Sequence, residues 1–101
     1  MVNKELKVVI DDEAKKSLRE AFQYIKKDSV QNAEKVKSNI LDSIKELITN
    51  PIRHNPDKYR LNNDGSYRAY EIYSYRITYH VSADEIRVIR IRHTKMNPLE
   101  Y

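Results

Sequence analysis

The residues best suited to chemistry are basic and histidine side chains in the last third of the sequence. Over residues 75–81 apolar and polar side chains alternate, which is the pattern of a half-buried β-strand. Arg76 and His80 fall on the polar side of this strand, opposite Tyr75, Ile77 and Tyr79. We therefore expect one face of a sheet to carry an arginine and a histidine above an apolar core.

A second basic strand is predicted immediately afterwards, over residues 86–92. This stretch is rich in β-branched residues, and if Ile89 and Ile91 join the core, Arg90 and Arg92 emerge on the opposite face. Two antiparallel strands would then share one cationic, histidine-containing face. Such a face suits a polyanion or an acidic protein partner.

The elements that position these strands begin with a short alternating strand predicted over residues 4–10. Asp11 and Asp12 end it, and their side chains are expected to accept bonds from the first amides of a helix. A second helix follows after a short link in which Asp28 or Ser29 is the cap, so the two helices must form an antiparallel hairpin. The predicted inward positions are Ala14, Leu18, Ala21, Phe22 and Ile25 in the first helix and Ala33, Val36, Ile40, Ile44, Leu47 and Ile48 in the second.

The second half of the chain is predicted to complete a sheet. Asn50 and Pro51 end the second helix, and residues 51–65 form a loop whose Gly65 is placed where a positive φ is expected. A strand over residues 67–72 and a tight connection at residues 73–74 then lead into the basic strands. The predicted fold is α+β, in the order β-α-α-β-β-β, with a helical hairpin packed on one face of a mostly antiparallel sheet and an irregular tail over residues 94–101.

Length and composition exclude several classes of protein. The 101 residues, with a net charge of +4, are predicted to form a single domain over residues 1–101. No cysteine is present and the three histidines are scattered, so neither a disulfide framework nor a metal site is predicted, and no small-molecule cofactor is expected. No apolar run approaches the length of a membrane span, and we expect a cytoplasmic protein with no membrane partner.

The segments YRITYHV and IRVIRIRHTKMNPL, together with the final tyrosine, resemble the RelE/ParE superfamily of bacterial toxins from type II toxin–antitoxin (plasmid stabilisation) systems. The resemblance extends over nearly the whole chain, and its specific part is residues 67–101. It implies a cognate, acidic antitoxin that wraps the toxin. RelE-like members cut messenger RNA in the ribosomal A site, whereas ParE-like members poison DNA gyrase and lack nuclease activity.

The resemblance also implies roles for individual residues. Arg76 falls on the arginine that contacts the scissile phosphate in RelE-like nucleases, and Arg68 falls near the basic residues one strand earlier. His93 and Tyr101 resemble the histidine and terminal tyrosine of YoeB-like nucleases. The histidine and the tyrosine are adjacent in YoeB-like toxins, whereas seven residues separate His93 from Tyr101 in this sequence. Asp57 is a rough equivalent of a glutamate that YoeB-like toxins carry in the loop before the second strand.

Metal-free RNA cleavage needs a base for the 2′-hydroxyl, charge stabilisation at the phosphate and an acid for the leaving oxygen. Arginines on a rigid sheet match phosphate geometry. His93 and Tyr101 are the first candidates for proton transfer, and Glu71 and His80 are further ones. The residues expected to contact RNA are Arg90, Arg92, Lys95, His80 and Tyr70.

The leading hypothesis is a ribosome-dependent, metal-independent mRNA endonuclease. The alternatives are a non-enzymatic inhibitor of DNA gyrase and a family member with neither activity. Arg76 is expected to be an exposed arginine whose replacement by alanine leaves the fold intact. A chain ending at Asn97 is expected to keep its melting temperature.

Overall fold

The computed structural model describes residues 6–96 and 101, and it confirms the predicted order of helices and strands. Residues 4 and 5 of the predicted first strand, and residues 97–100 of the predicted tail, lie outside the described residues. The elements are β1 (Lys7–Ile10), α1 (Asp12–Lys26), α2 (Val30–Lys45), a 3₁₀ turn (Glu46–Ile48), β2 (Tyr67–Ile72), β3 (Tyr75–Val81) and β4 (Glu85–His93).

The four strands form one mixed sheet in the order β1-β4-β3-β2. β1 runs parallel to β4, whereas β2–β3 and β3–β4 are antiparallel, so the sheet is mostly antiparallel as predicted. The helical hairpin covers one face of the sheet, which we call the helix face. The opposite face, called here the outer face, carries Arg76 and is the side on which the candidate site lies.

The two helices begin in different ways. The Ser29 hydroxyl accepts a hydrogen bond from the Asn32 amide at 3.0 Å, which confirms the predicted cap of α2. Asp11 precedes α1, but its side chain makes no capping bond. Its carboxylate instead accepts from Arg87 Nη1 at 2.5 Å, because a charged donor is a stronger partner than a helix amide.

The core lies between the helices and the sheet, and it is centred on fully buried Tyr79, Ile77, Ile40 and Ile44. The prediction that Ile48 points inward is wrong, since its side chain is 47% exposed. The chain tightens into the 3₁₀ turn at Glu46, where each residue advances by about 120° instead of 100°. This change of period buries Leu47 and turns Ile48 outward.

A β-bulge in β4 sets which of its side chains face outward. Thr78 pairs with Arg90 and the next residue, Tyr79, pairs with Val88, so Ile89 is an extra residue on β4. The prediction that Ile89 joins the core is therefore wrong, and Ile86, Val88 and Ile91 fill the core instead. Because the bulge shifts the alternation by one residue, Arg87, Arg90 and Arg92 all lie on the outer face.

Two turns on the sheet side of the chain require left-handed backbone. Gly65 has φ of +96°, as predicted for this position. Tyr73 and Ser74 have φ of +51° and +64°, the pattern of a two-residue type I′ hairpin between β2 and β3. No helix in the described part of the chain is long and apolar enough to cross a membrane.

Candidate functional site

A cleft on the outer face gathers most of the residues that the sequence singled out. Strands β3 and β4 form its floor, the 51–65 loop forms one wall, and Tyr101 closes part of it. The predicted site residues that line it are Glu71, Arg76, Arg90, Arg92, His93 and Tyr101. Asp57, Tyr59, Thr78, Thr94 and Met96 complete the lining.

The loop that carries Asp57 is fixed along the free edge of β2. The Asp57 amide donates to the Tyr67 carbonyl at 2.8 Å, and the Ala69 amide donates to the Asn55 carbonyl at 3.2 Å. The Asn63 side chain donates to both the Asp57 and Tyr67 carbonyls, at 3.1 and 2.8 Å. These bonds hold the loop as a short antiparallel partner of β2 and place the Asp57 side chain over the outer face.

Asp57 is the centre of the cleft, and it is only 3% exposed. Its Oδ1 accepts from Arg76 Nη2 at 2.8 Å and from the Tyr59 amide at 3.1 Å. Its Oδ2 accepts from the Tyr101 hydroxyl. A buried carboxylate is stable only when charged or polar donors compensate for the lost water, and here three donors do so.

Tyr101 is held by its backbone as well as by its hydroxyl. Its amide donates to the Tyr59 carbonyl at 3.1 Å, and the Leu61 amide donates to the Tyr101 carbonyl at 2.5 Å. The expectation that a chain ending at Asn97 keeps its melting temperature therefore conflicts with the structure. Removal of Tyr101 would take away these bonds and one donor to a buried carboxylate.

Burial and hydrogen bonding in the cleft shift the pKa values of Asp57 and Tyr101 in opposite directions. Burial alone would raise the pKa of Asp57 and is the largest single influence. The hydrogen bonds from Tyr101, Arg76 and the Tyr59 amide together outweigh it, so the pKa lies below its usual value. Burial, followed by the bond to Asp57, raises the pKa of Tyr101 well above the ordinary value for a phenol. Asp57 is thus held ionised and Tyr101 is held protonated.

Arginine and tyrosine side chains stack against one another around this pair. Arg76 lies over the Tyr59 ring at 4.9 Å from its centroid. The Tyr101 ring lies beside both Arg90, at 4.6 Å, and Arg60, at 5.1 Å. Cation–π contacts of this kind fix the guanidinium planes and keep several positive charges close together.

Two predicted site residues lie on the wrong face for this cleft. Arg68 pairs with Tyr79 and Tyr70 pairs with Ile77, so both side chains point to the helix face. Arg68 Nη1 donates to the His54 carbonyl at 2.7 Å. The Tyr70 hydroxyl is bonded to Ser43 at 2.8 Å, which leaves the ring packed and not free to stack on a base. Burial raises the pKa of Tyr70 to about 12.

The remaining candidates lie at or beyond the rim of the cleft. His93 pairs with Tyr75 on the helix face, but its position at the end of β4 brings it to the rim, where Nδ1 accepts from the Lys95 amide at 3.0 Å. His80 is on the outer face and stacks on Tyr67, with ring centroids 4.5 Å apart. Lys95 lines a separate groove between α1 and β4.

The expectation that Arg76 is a loosely held surface arginine is wrong. Its side chain is 20% exposed, and besides Asp57 it faces Glu71 Oε2 at 3.6 Å from Nη1. From the sequence, Asp57 was predicted only to be a rough equivalent of a family glutamate, because no pattern near it in the chain indicates that its side chain is buried. Its partners Arg76 and Tyr101 are 19 and 44 residues away.

The cleft is suited to binding a partner and poorly suited to proton transfer. The cleft presents several guanidinium groups that can bind anionic or aromatic partners. The buried Asp57 carboxylate and the Tyr101 phenol are already bonded to each other. Within residues 6–96 and 101, no three His, Asp or Glu side chains lie close enough together to hold a metal ion.

Comparison with known proteins identifies the family. A search of curated proteins finds no significant match. Among solved structures, one from a chromosomal ParDE toxin–antitoxin system of P. aeruginosa matches with a TM-score of 0.74 and 17% identity, covering 92% of this chain and all of that one. A family profile described as the ParE toxin of the type II toxin–antitoxin system parDE matches residues 8–98. The chain therefore belongs to the ParE toxin family of type II toxin–antitoxin systems.

Proposed function

We propose that this protein is a growth-inhibiting toxin that acts by binding DNA gyrase, and that it does not cleave messenger RNA. Membership of the ParE family supports this target, because the resemblance to ParE-like toxins implies gyrase poisoning without nuclease activity. The proposal places the gyrase inhibitor, one of the two alternatives, above the nuclease that was the leading hypothesis from the sequence.

The observation that carries the proposal is the buried Asp57–Arg76–Tyr101 network. In the nuclease hypothesis that the resemblance implies, Arg76 contacts the scissile phosphate and Tyr101 donates or accepts a proton. Here the guanidinium and the phenol are both bonded to the same carboxylate, which is 3% exposed. An efficient general acid or base has a pKa near the working pH, and the pKa of Tyr101 is shifted far above it.

Ribosome-dependent cleavage remains the second candidate, and one observation favours it. His93 reaches the rim of the same cleft that Arg76, Arg90 and Arg92 line. An imidazole beside three arginines has the components of a metal-free RNA cleavage site. In this alternative His93, assisted by Glu71, would replace Tyr101 in proton transfer.

We also propose that the antitoxin presents an acidic segment to the toxin. The outer face and the groove between α1 and β4 share Arg92 and His93, and Lys95 extends the positive charge into the groove. Charge steering accelerates association and is screened beyond about 10 Å at 0.1 M salt. The association rate with the antitoxin should therefore fall steeply as salt rises.

The test is induced expression of the wild-type protein and of His93→Gln, with new RNA 5′ ends mapped while plasmid topology is followed. Glutamine keeps an acceptor near the Lys95 amide but cannot shuttle a proton at neutral pH. A gyrase inhibitor should change plasmid topology, leave translated messages uncut and tolerate the substitution. New cuts within translated messages, reduced about 10²–10⁴-fold by His93→Gln, would support the nuclease instead.

A further inference from the structure

The Asp57 carboxylate is surrounded by donors from three separate parts of the chain. Its two oxygens accept from a guanidinium, a backbone amide and a hydroxyl, the last being that of Tyr101. These are the groups with which proteins commonly hold phosphate and carboxylate ligands. The donors converge from three separate parts of the chain, namely β3, the 51–65 loop and residue 101.

The rest of the cleft is also built for negative charge. Among residues 6–96 and 101, three arginines line it, namely Arg76, Arg90 and Arg92, together with two carboxylates, Asp57 and Glu71. The Glu71 side chain is 57% exposed, and Arg76 Nη1 lies 3.6 Å from its nearer oxygen, so water screens it strongly. Removal of Asp57 would take away the carboxylate that Arg76 now binds and would make the cleft more positive.

We propose that this cleft is an oxyanion-binding site whose occupant is the protein's own Asp57, and that Asp57 thereby excludes external phosphate and carboxylate groups. An incoming phosphate would meet a fixed negative charge at the position where its own oxygens need to be. Replacing Asp57 with a smaller, uncharged residue should open the site. The inference rests on the proposed function in one respect, because it explains why the cleft does not hold an RNA phosphate.

The test is anion binding to purified toxin with no target present, so its outcome is separate from that of the gyrase assay. Asp57→Ala is compared with wild type and with Asp64→Ala, whose exposed carboxylate in the same loop bonds to nearby Ser66. Melting temperatures are measured at pH 7 in inorganic phosphate, in acetate and in chloride at equal ionic strength.

We expect Asp57→Ala to melt well below wild type in chloride and to recover in phosphate. A ligand at one hundred times its Kd should raise the melting temperature by roughly 10 °C. Recovery in phosphate but not acetate would identify a phosphate site, and recovery in both would identify a general oxyanion site. Wild type and Asp64→Ala should each melt at about the same temperature in phosphate as in chloride.

A second variant guards against poor folding of Asp57→Ala. Asp57→Ser keeps a small polar side chain, removes the carboxylate and leaves room for an anion, and its phosphate binding can be followed by ³¹P line broadening. The double variant Asp57→Ser with Arg76→Gln should lose that binding. The proposal is overturned if phosphate stabilises Asp57→Ala no more than Asp64→Ala. It is also overturned if Asp57→Ala stays unfolded in phosphate while Asp57→Ser binds none, or if the double variant binds as well as Asp57→Ser.

Discussion

Replacing Tyr101 with phenylalanine removes a single oxygen, the donor to Asp57 Oδ2. The ring and its stacking against Arg90 and Arg60 remain. Hydrogen bonds to charged groups contribute about 1.5–3 kcal/mol, and the carboxylate that loses this donor is 3% exposed, so water cannot readily replace it. We expect the free energy of unfolding to fall by about 2 kcal/mol and the melting temperature by roughly 10 °C.

The assay is urea unfolding at pH 7, in which the midpoint should fall while the slope stays constant. Tyr24→Phe is the matched control, because its side chain is 68% exposed, and it should change the free energy of unfolding by less than about 0.5 kcal/mol. Tyr101→Phe in an Asp57→Asn background should lower the free energy of unfolding clearly less than it does in wild type. The expected coupling energy between the two residues is about 1–2 kcal/mol. Strictly additive effects would refute the argument that Tyr101 acts through Asp57.

The pH dependence of this network has a defined sign. Asp57 has a folded-state pKa below its ordinary value of 3.8, so its contribution is fully present above about pH 4 and is lost as pH falls through the folded pKa. Tyr101 has a raised pKa, so its contribution is fully present below about pH 10 and is lost at higher pH. The stability gap between wild type and Asp57→Asn should therefore be constant from about pH 5 to 9 and shrink in acid.

Three further substitutions test other parts of the account by urea unfolding. Arg76→Ala should lower the free energy of unfolding by about 3–5 kcal/mol, because it leaves a buried carboxylate without its cation, and a loss below about 1 kcal/mol would contradict the network. Ile77→Asp should unfold the domain, since its position is fully buried; a folded variant would mean that the faces of β3 are reversed. Ser29→Ala should cost about 1 kcal/mol by removing the cap of α2, and no loss would show that the cap is dispensable.

Local patterns in the sequence were sufficient to predict the order of the elements and the two faces of β3. The alternation in β3 correctly placed Ile77 and Tyr79 in the core and Arg76 on the opposite face. The predictions failed where the backbone departs from a regular period, at the bulge residue Ile89 and at Ile48 after the 3₁₀ turn. The mark that the bulge leaves in the sequence is the apolar pair Val88-Ile89, which interrupts the alternation of apolar residues and arginines in β4 and does not by itself show which of the two faces the core.

The candidate site was predicted only in part, for a different reason. Strand alternation places three arginines on the outer face once the core face is known, namely Arg76, Arg90 and Arg92. The burial of Asp57 depends on the path of a loop with few regular features, and on partners 19 and 44 residues distant. Arg68 was misplaced because the resemblance gave its strand but not the face on which it lies. Tyr70 was misplaced because it was taken as a tyrosine free to stack on RNA, whereas its position in β2 points to the helix face.

The measurement that tests the proposed target most directly is supercoiling of relaxed plasmid by purified DNA gyrase, titrated with the purified wild-type toxin. The account predicts that supercoiling is inhibited, that stoichiometric antitoxin restores it, and that a programmed ribosome incubated with the same toxin keeps its message intact. Unimpaired supercoiling together with cleavage of the ribosome-bound message would contradict it.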